Sequence, residues 1–297
     1  MNKVSSYLSS LILSVLLVFT IIGSSCAILC CINVNGKGTV KIFDDNHLED
    51  DIISELEQQY SQQYNASGIP ASVYMGGLDK EYIRKCGHFC IENAFEVLEN
   101  GGKYSVILLE NNTLNESIEK FFNDYADENN FKKDENFEKK VQAEKEGALL
   151  TVKSCCDVFK FGTINSKDVL TKASKVYSKR IPLTLSAVAA SLVLIVFMLI
   201  VNRKKKTAVL YWTGISILIS GIVGSSVSIF LLANKYFDSF SIKQPAVFKA
   251  YTSMMYKLTE SYMAVGISSV IVGICLIVIY ALFNGNHKKN NVNPTTF

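Results

Sequence analysis

Four apolar runs without a single Asp, Glu, Lys, Arg or His cut this chain, at residues 8–32, 182–201, 208–233 and 262–283. A helix needs about 20 residues to cross roughly 30 Å of hydrocarbon, and each run is long enough. Hydrocarbon offers no partner to an unbonded peptide group, so such runs must fold as helices. The segments between them differ sharply in charge. Residues 1–7, 202–207 and 284–297 carry seven Lys or Arg and no acid, whereas the others hold all 27 acids against 23 of the 30 basic residues. Lys and Arg near span ends stay cytoplasmic. The expected layout therefore has both termini in the cytoplasm of a multi-pass cell-membrane protein. Arg203, Lys204, Lys205 and Lys206 read as a topology anchor at the anionic inner leaflet.

The fold class expected is an all-α membrane protein. Four transmembrane helices carry a mostly α-helical extracytoplasmic domain between helices 1 and 2, over residues 33–181. A second outer loop and helix occupy residues 234–261. The first run has a basic start and small residues near Ala27, as a signal peptide does, but it stays apolar through Ile32 and reads as an uncleaved anchor.

Within residues 33–181, Leu48, Ile52, Leu56, Tyr60 and Tyr64 recur every four residues, which predicts one helix face. Gly68, Ile69 and Pro70 stop that helix. Asp79 caps a second, whose buried stripe is Ile83, Cys86, Cys90, Ala94 and Val97, and Gly101 with Gly102 ends it. Residues 104–109 read as an extended connector. Thr113 and Glu116 have capping-box spacing for a third helix. A polar loop over residues 127–135 precedes a fourth, with Phe137, Val141, Leu149, Val152, Cys156 and Phe159 inward. A fifth starts at Lys167 and is expected to run unbroken into Pro182 and the second span. Pro245 suits a first helical turn, and the helix it opens should continue into the fourth span.

Four outer cysteines, Cys86, Cys90, Cys155 and Cys156, permit up to two disulfides in any of three pairings; free buried thiols are the other reading. His88 lies between Cys86 and Cys90, but the Cys pair is four apart on a helix and His88 falls off their shared face, so no metal or cofactor site is expected. The acids Asp44, Asp45, Glu49, Asp50 and Asp51 lack the glycine turn and terminal Glu of a calcium loop and read as a solvated helix start. Ser216, Ser220, Gly224 and Ser228 make a small-residue stripe in the third span, with Gly266 and Gly273 in similar use in the fourth. Such stripes let helices approach closely, either within one chain or at a dimer seam. The spans lack the charged groups that mark ion and proton paths. No hydrolase or zinc-protease motif occurs. No nucleic-acid footprint is present.

Two stretches, YNASGIPASVY at 64–74 with LDKEY at 78–82, and KVYSKRIP at 175–182, resemble uncharacterised membrane proteins of Gram-positive bacteria that share the order span, helical outer domain, three spans. The layout is also similar to permease subunits of the FtsX and MacB type, which relay force between a cytoplasmic ATPase and an outer domain. The first resemblance implies no known activity, and the second transfers no functional residue.

The expectation from the sequence is a non-enzymatic envelope interaction, sensing or accessory protein, with membrane lipids and a membrane or envelope protein as partners. The alternatives are a permease-like subunit working with a separate ATPase and an outer-face metal-dependent enzyme.

Overall fold

A computed structural model describes residues 3–105, 110–166 and 168–290. Among them every regular element is helical, with no strand. In chain order the helices are α1 (Lys3–Asn33), α2 (Gly36–Asp45), α3 (Leu48–Ser67), α4 (Ala71–Met75), α5 (Lys80–Asn100), α6 (Asn112–Glu128), α7 (Glu135–Cys156), α8 (Phe161–Asn165), α9 (Val169–Tyr177), α10 (Arg180–Val201), α11 (Ala208–Ala233) and α12 (Pro245–Asn290). Four of these, α1, α10, α11 and α12, are long and apolar enough to cross a membrane. The chain divides into two compact units, an apolar one (Met1–Val34, Lys179–Ser239, Met255–Phe297) and a polar one (Asn35–Ser178, Phe240–Met254).

In the apolar unit, α1 lies along α10 and α11. Leu17, Met198, Val209 and Trp212 are its buried cluster, with the Tyr7 ring edge-on to Trp212. Most large apolar side chains of these helices, such as Phe19, Leu192, Phe230 and Val278, face outward. That pattern inverts a water-soluble bundle and suits a lipid surround. The start of α1 meets the end of α10, where Ser6 Oγ donates to the Val201 carbonyl at 3.3 Å. Tyr211, just past the basic turn, meets Tyr280 of α12 at 5.3 Å between ring centres. The early residues of α1, the turn 202–207 and the last part of α12 thus share one end of the apolar unit.

The polar unit is a helical domain with its own core. Leu48, Ile52, Leu56 and Tyr60 of α3 are buried, as are Ile83, Cys86, Cys90 and Ala94 of α5, Leu114 and Ile118 of α6, and Val152 and Cys156 of α7. The Tyr60 and Tyr74 rings stack at 4.1 Å. Their hydroxyls donate to the Ala148 carbonyl at 3.1 Å and to Glu144 Oε1 at 2.6 Å. Gly68 ends α3 at φ 71, a left-handed conformation that glycine takes without steric cost. Asp79 caps α5 by accepting from the Tyr82 amide at 2.6 Å.

Several expectations need correction. The second span is not continuous with the helix before it: α9 stops at Tyr177, and α10 begins at Arg180. Pro182 accounts for the restart, because its missing N–H is harmless only in a first turn. The third helix is capped by Asn111, whose side chain accepts from the Leu114 amide at 3.0 Å, and not by Thr113. Three short helices, α2, α4 and α8, go beyond the expectation, and α12 extends to Asn290, past the expected start of a tail at residue 284. The expected connector at 104–109 falls largely outside the described residues, as do the Lys167 helix start and residues 291–297. The reading of Pro245 agrees with the structure: α12 runs 46 residues without a break, its stretch to Met254 in the polar unit and the remainder in the apolar one.

Candidate functional site

The polar unit holds an open cleft of about 550 Å³ at the carboxyl end of α7. That volume is in the range of small-molecule sites. Its wall is built where α7 stops. Asp157 ends the helix, and its two carboxylate oxygens accept from the Phe161 amide at 2.8 Å and the Gly162 amide at 2.7 Å, folding the chain into α8. Burial pushes the Asp157 carboxyl above its ordinary range, and those two backbone hydrogen bonds only partly offset the effect. Lys153, from the last turn of α7, and Lys160 line the same cleft. Lys160 has a left-handed backbone (φ 53), and its Nζ donates to the Ser154 carbonyl at 3.0 Å. Tyr104 closes one side; burial pushes its phenol up. Gln244 reaches the cleft from the segment just before α12, and its Nε2 donates to Glu55 Oε1 at 2.6 Å.

A second polar cluster joins α2, α3 and α5. Arg84 bonds to the buried Glu49, and Asp44 Oδ1 lies 2.7 Å from His88 Nε2. The acids read from sequence as a solvated helix start are therefore divided. Glu49 is 1% exposed and ion-paired, while Asp45 and Asp50 flank it nearer the surface. The four-residue register hides this: Glu49 sits beside Leu48 on the inward face of α3, and only the α5 arginine makes its burial tolerable. Glu49 Oε2 is buried with no hydrogen bond in the structure. No three His, Cys, Asp or Glu side chains converge as metal ligands among the described residues.

The four cysteines of the polar unit are buried free thiols. Cys156 on α7 points its thiol at the Ile83 carbonyl of α5 at 3.9 Å and interacts with the Cys86 thiol one turn further along that helix. That contact, together with burial, pushes the Cys156 thiol well up. Burial pushes Cys90 and Cys155 each to about 12. Cys90, Cys155 and Cys156 are thereby poor nucleophiles and behave as small apolar side chains, whereas Cys86 is pulled below the ordinary thiol range by Cys156 and is shielded by its complete burial.

The small residues of the third span divide between two neighbours. Ser216 Oγ lies 2.7 Å from Ser14 Oγ, and Ser220 Oγ donates to the Val18 carbonyl at 3.3 Å, both on α1. On another face, a Cβ at Gly221 would lie 2.6 Å from the Gly266 carbonyl oxygen, and one at Gly273 would lie 2.7 Å from the Leu218 nitrogen. Gly224 faces the Tyr262 ring, and Ser228 is 1% exposed. Arg203, Lys204, Lys205 and Lys206 are all exposed in the turn between α10 and α11.

Sequence reasoning missed the cleft. Its residues come from three separated stretches, at 104, 150–163 and 244, and none forms a motif; the local signal was Gly162 with the Asn165-Ser166 pair, which marks the end of the helix. No protein-family model matches the chain, and no curated protein or solved structure matches it either.

Proposed function

We propose that the chain is a non-enzymatic, four-span cell-membrane protein with both termini in the cytoplasm. Its helical domain, between the first and second spans, is extracytoplasmic and contacts a ligand or an envelope partner. The resemblance to four-span proteins of Gram-positive bacteria belongs to the same reading. The observation that carries it is the division of the chain into a unit of four long helices, whose apolar runs carry no charge and whose basic turn 202–207 lies at one end, and a polar helical unit with its own core and an open cleft. Helix α12 has residues in both units and no break, so it supplies a covalent route by which a change in the domain reaches the spans.

Impermeant maleimide applied to intact cells tests the sidedness. In a background with the exposed native cysteines replaced, Asn130→Cys is expected to label without lysis and Lys205→Cys only after it. The reverse pattern ends the proposal. Affinity purification from the membrane tests the class: a stoichiometric ATPase in the eluate would replace this reading with the permease-like one.

A further inference from the structure

The cleft at the end of α7 has a chemistry that its walls specify. Two ammonium groups, Lys153 and Lys160, line it against one carboxylate, Asp157. Both oxygens of that carboxylate are already turned into the backbone of Phe161 and Gly162. The positive charges therefore lack an equal counter-charge in the cleft, and no ion pair among the described residues takes either lysine. Hydroxyl and amide groups from Thr163 and Gln244 share the lining, and the exposed Leu150 side chain with the Tyr104 ring gives an apolar wall. Lys160 is anchored at the wall, its Nζ donating to the Ser154 carbonyl at 3.0 Å. It holds a left-handed backbone that L-residues adopt at a cost, locked by its own amide donating to the Asp157 carbonyl at 2.9 Å.

We propose that this cleft binds a small organic anion, with Lys153 and Lys160 paired to its carboxylate or phosphate group and the apolar wall against its carbon skeleton. The proposal rests on the reading of the helical domain as a ligand-contacting module and names the class of ligand. Two lysines act here as mobile point charges, which suits an oxyanion of either geometry. Partial desolvation in the cleft strengthens the pairing relative to an exposed lysine.

The test uses the full chain in nanodiscs of neutral phosphatidylcholine, titrated calorimetrically with citrate, with glucose 6-phosphate and with uncharged glucose. Saturable binding of at least one anion is expected, and which of them binds distinguishes carboxylate from phosphate. Lys153→Gln and Lys160→Gln should each weaken the affinity tenfold or more with the helical circular dichroism unchanged. Lys132→Gln, on an exposed loop of the same unit, should leave it as it was. The proposal is overturned if neither anion binds saturably, if the two cleft variants bind like the parent, or if glucose binds equally well. Failure here with Asn130→Cys labelled from outside removes the ligand class alone. A cytosolic Asn130 removes the topology and leaves the binding result standing.

Discussion

Tyr251 donates its phenolic hydrogen to the carbonyl oxygen of Phe159 at 2.6 Å, tying residues 92 positions apart. It is one of several bonds that hold the head of α12 inside the polar unit. Lys249 Nζ reaches Asp51 Oδ2 at 2.8 Å, and Ser253 Oγ reaches Asn46 Oδ1 at 2.8 Å. A segment that follows the third apolar helix in sequence thus completes a domain that precedes the second. Tyr251→Phe should lower stability by about 1 kcal/mol, the usual net worth of such a bond. Urea titration of the purified chain, followed by domain circular dichroism, reads the change.

Gly87 of α5 lets the Phe43 ring of α2 lie directly against its backbone. A Cβ there would collide with the Phe43 ring. Gly87→Ala is therefore expected to cost about 1–3 kcal/mol by overpacking. Adding Phe43→Leu should recover part of the loss, and a double variant no better than Gly87→Ala alone would contradict the packing argument. The thermal midpoints of the three variants make the comparison.

Ser14 and Ser216 face each other across α1 and α11. A double-mutant cycle with both changed to Ala should give a coupling of about 0.6 kcal/mol, typical of hydrogen bonds between membrane helices. Unfolding in mixed detergent measures it. A coupling indistinguishable from zero would mean that the two hydroxyls are satisfied separately by their own helices, as Ser216 Oγ can be by the Trp212 carbonyl at 2.9 Å.

The four long apolar helices were legible because their rule is simple: length without charge. Asp79, Gly68, Gly101 and Pro245 were legible too, since each acts on backbone groups next to it in sequence. What stayed hidden depends on distant partners. Glu49 is a charged residue beside a run of acids, and nothing near it announces Arg84. Asn111 outcompeted Thr113 as a cap partly because its Nδ2 also donates to the Gly77 carbonyl at 2.7 Å, a tertiary contact outside any local pattern. The break between α9 and α10 turns on Ser178 and Lys179, where continuing apolar periodicity concealed a single non-helical step at Lys179.

Cys90 and Cys155 should resist alkylation in the folded protein. With thiols pushed up to about 12, roughly one part in ten thousand is thiolate at pH 8. Iodoacetamide under native conditions is expected to leave these two, Cys86 and Cys156 unmodified, and to reach all four in denaturant without added reductant. If reductant proves necessary in denaturant, a disulfide joins them in the native protein. Peptide mass spectrometry resolves each site.

Asp157 gives a pH dependence with a definite sign. Its folded-state pKa lies above the ordinary 3.8, so the folded chain holds its proton more tightly than the unfolded one. The associated stability is fully present below 3.8 and declines as pH rises through the raised value. Asp157→Asn removes this dependence. The stability of the parent relative to that variant should therefore fall between pH 3.5 and pH 6, as read from paired thermal melts. A relative stability that rises over this interval would show a carboxylate stabilised by its two backbone donors more than it is penalised by burial.

The absence of any Asp, Glu, Lys, Arg or His from residues 8–32, 182–201, 208–233 and 262–283 has an electrical consequence. A side-chain charge carried across a bilayer exchanges about 2.3 kcal/mol with each 100 mV of potential. These segments offer the field no such handle, so their rearrangements in a bilayer should proceed alike in energised and depolarised cells.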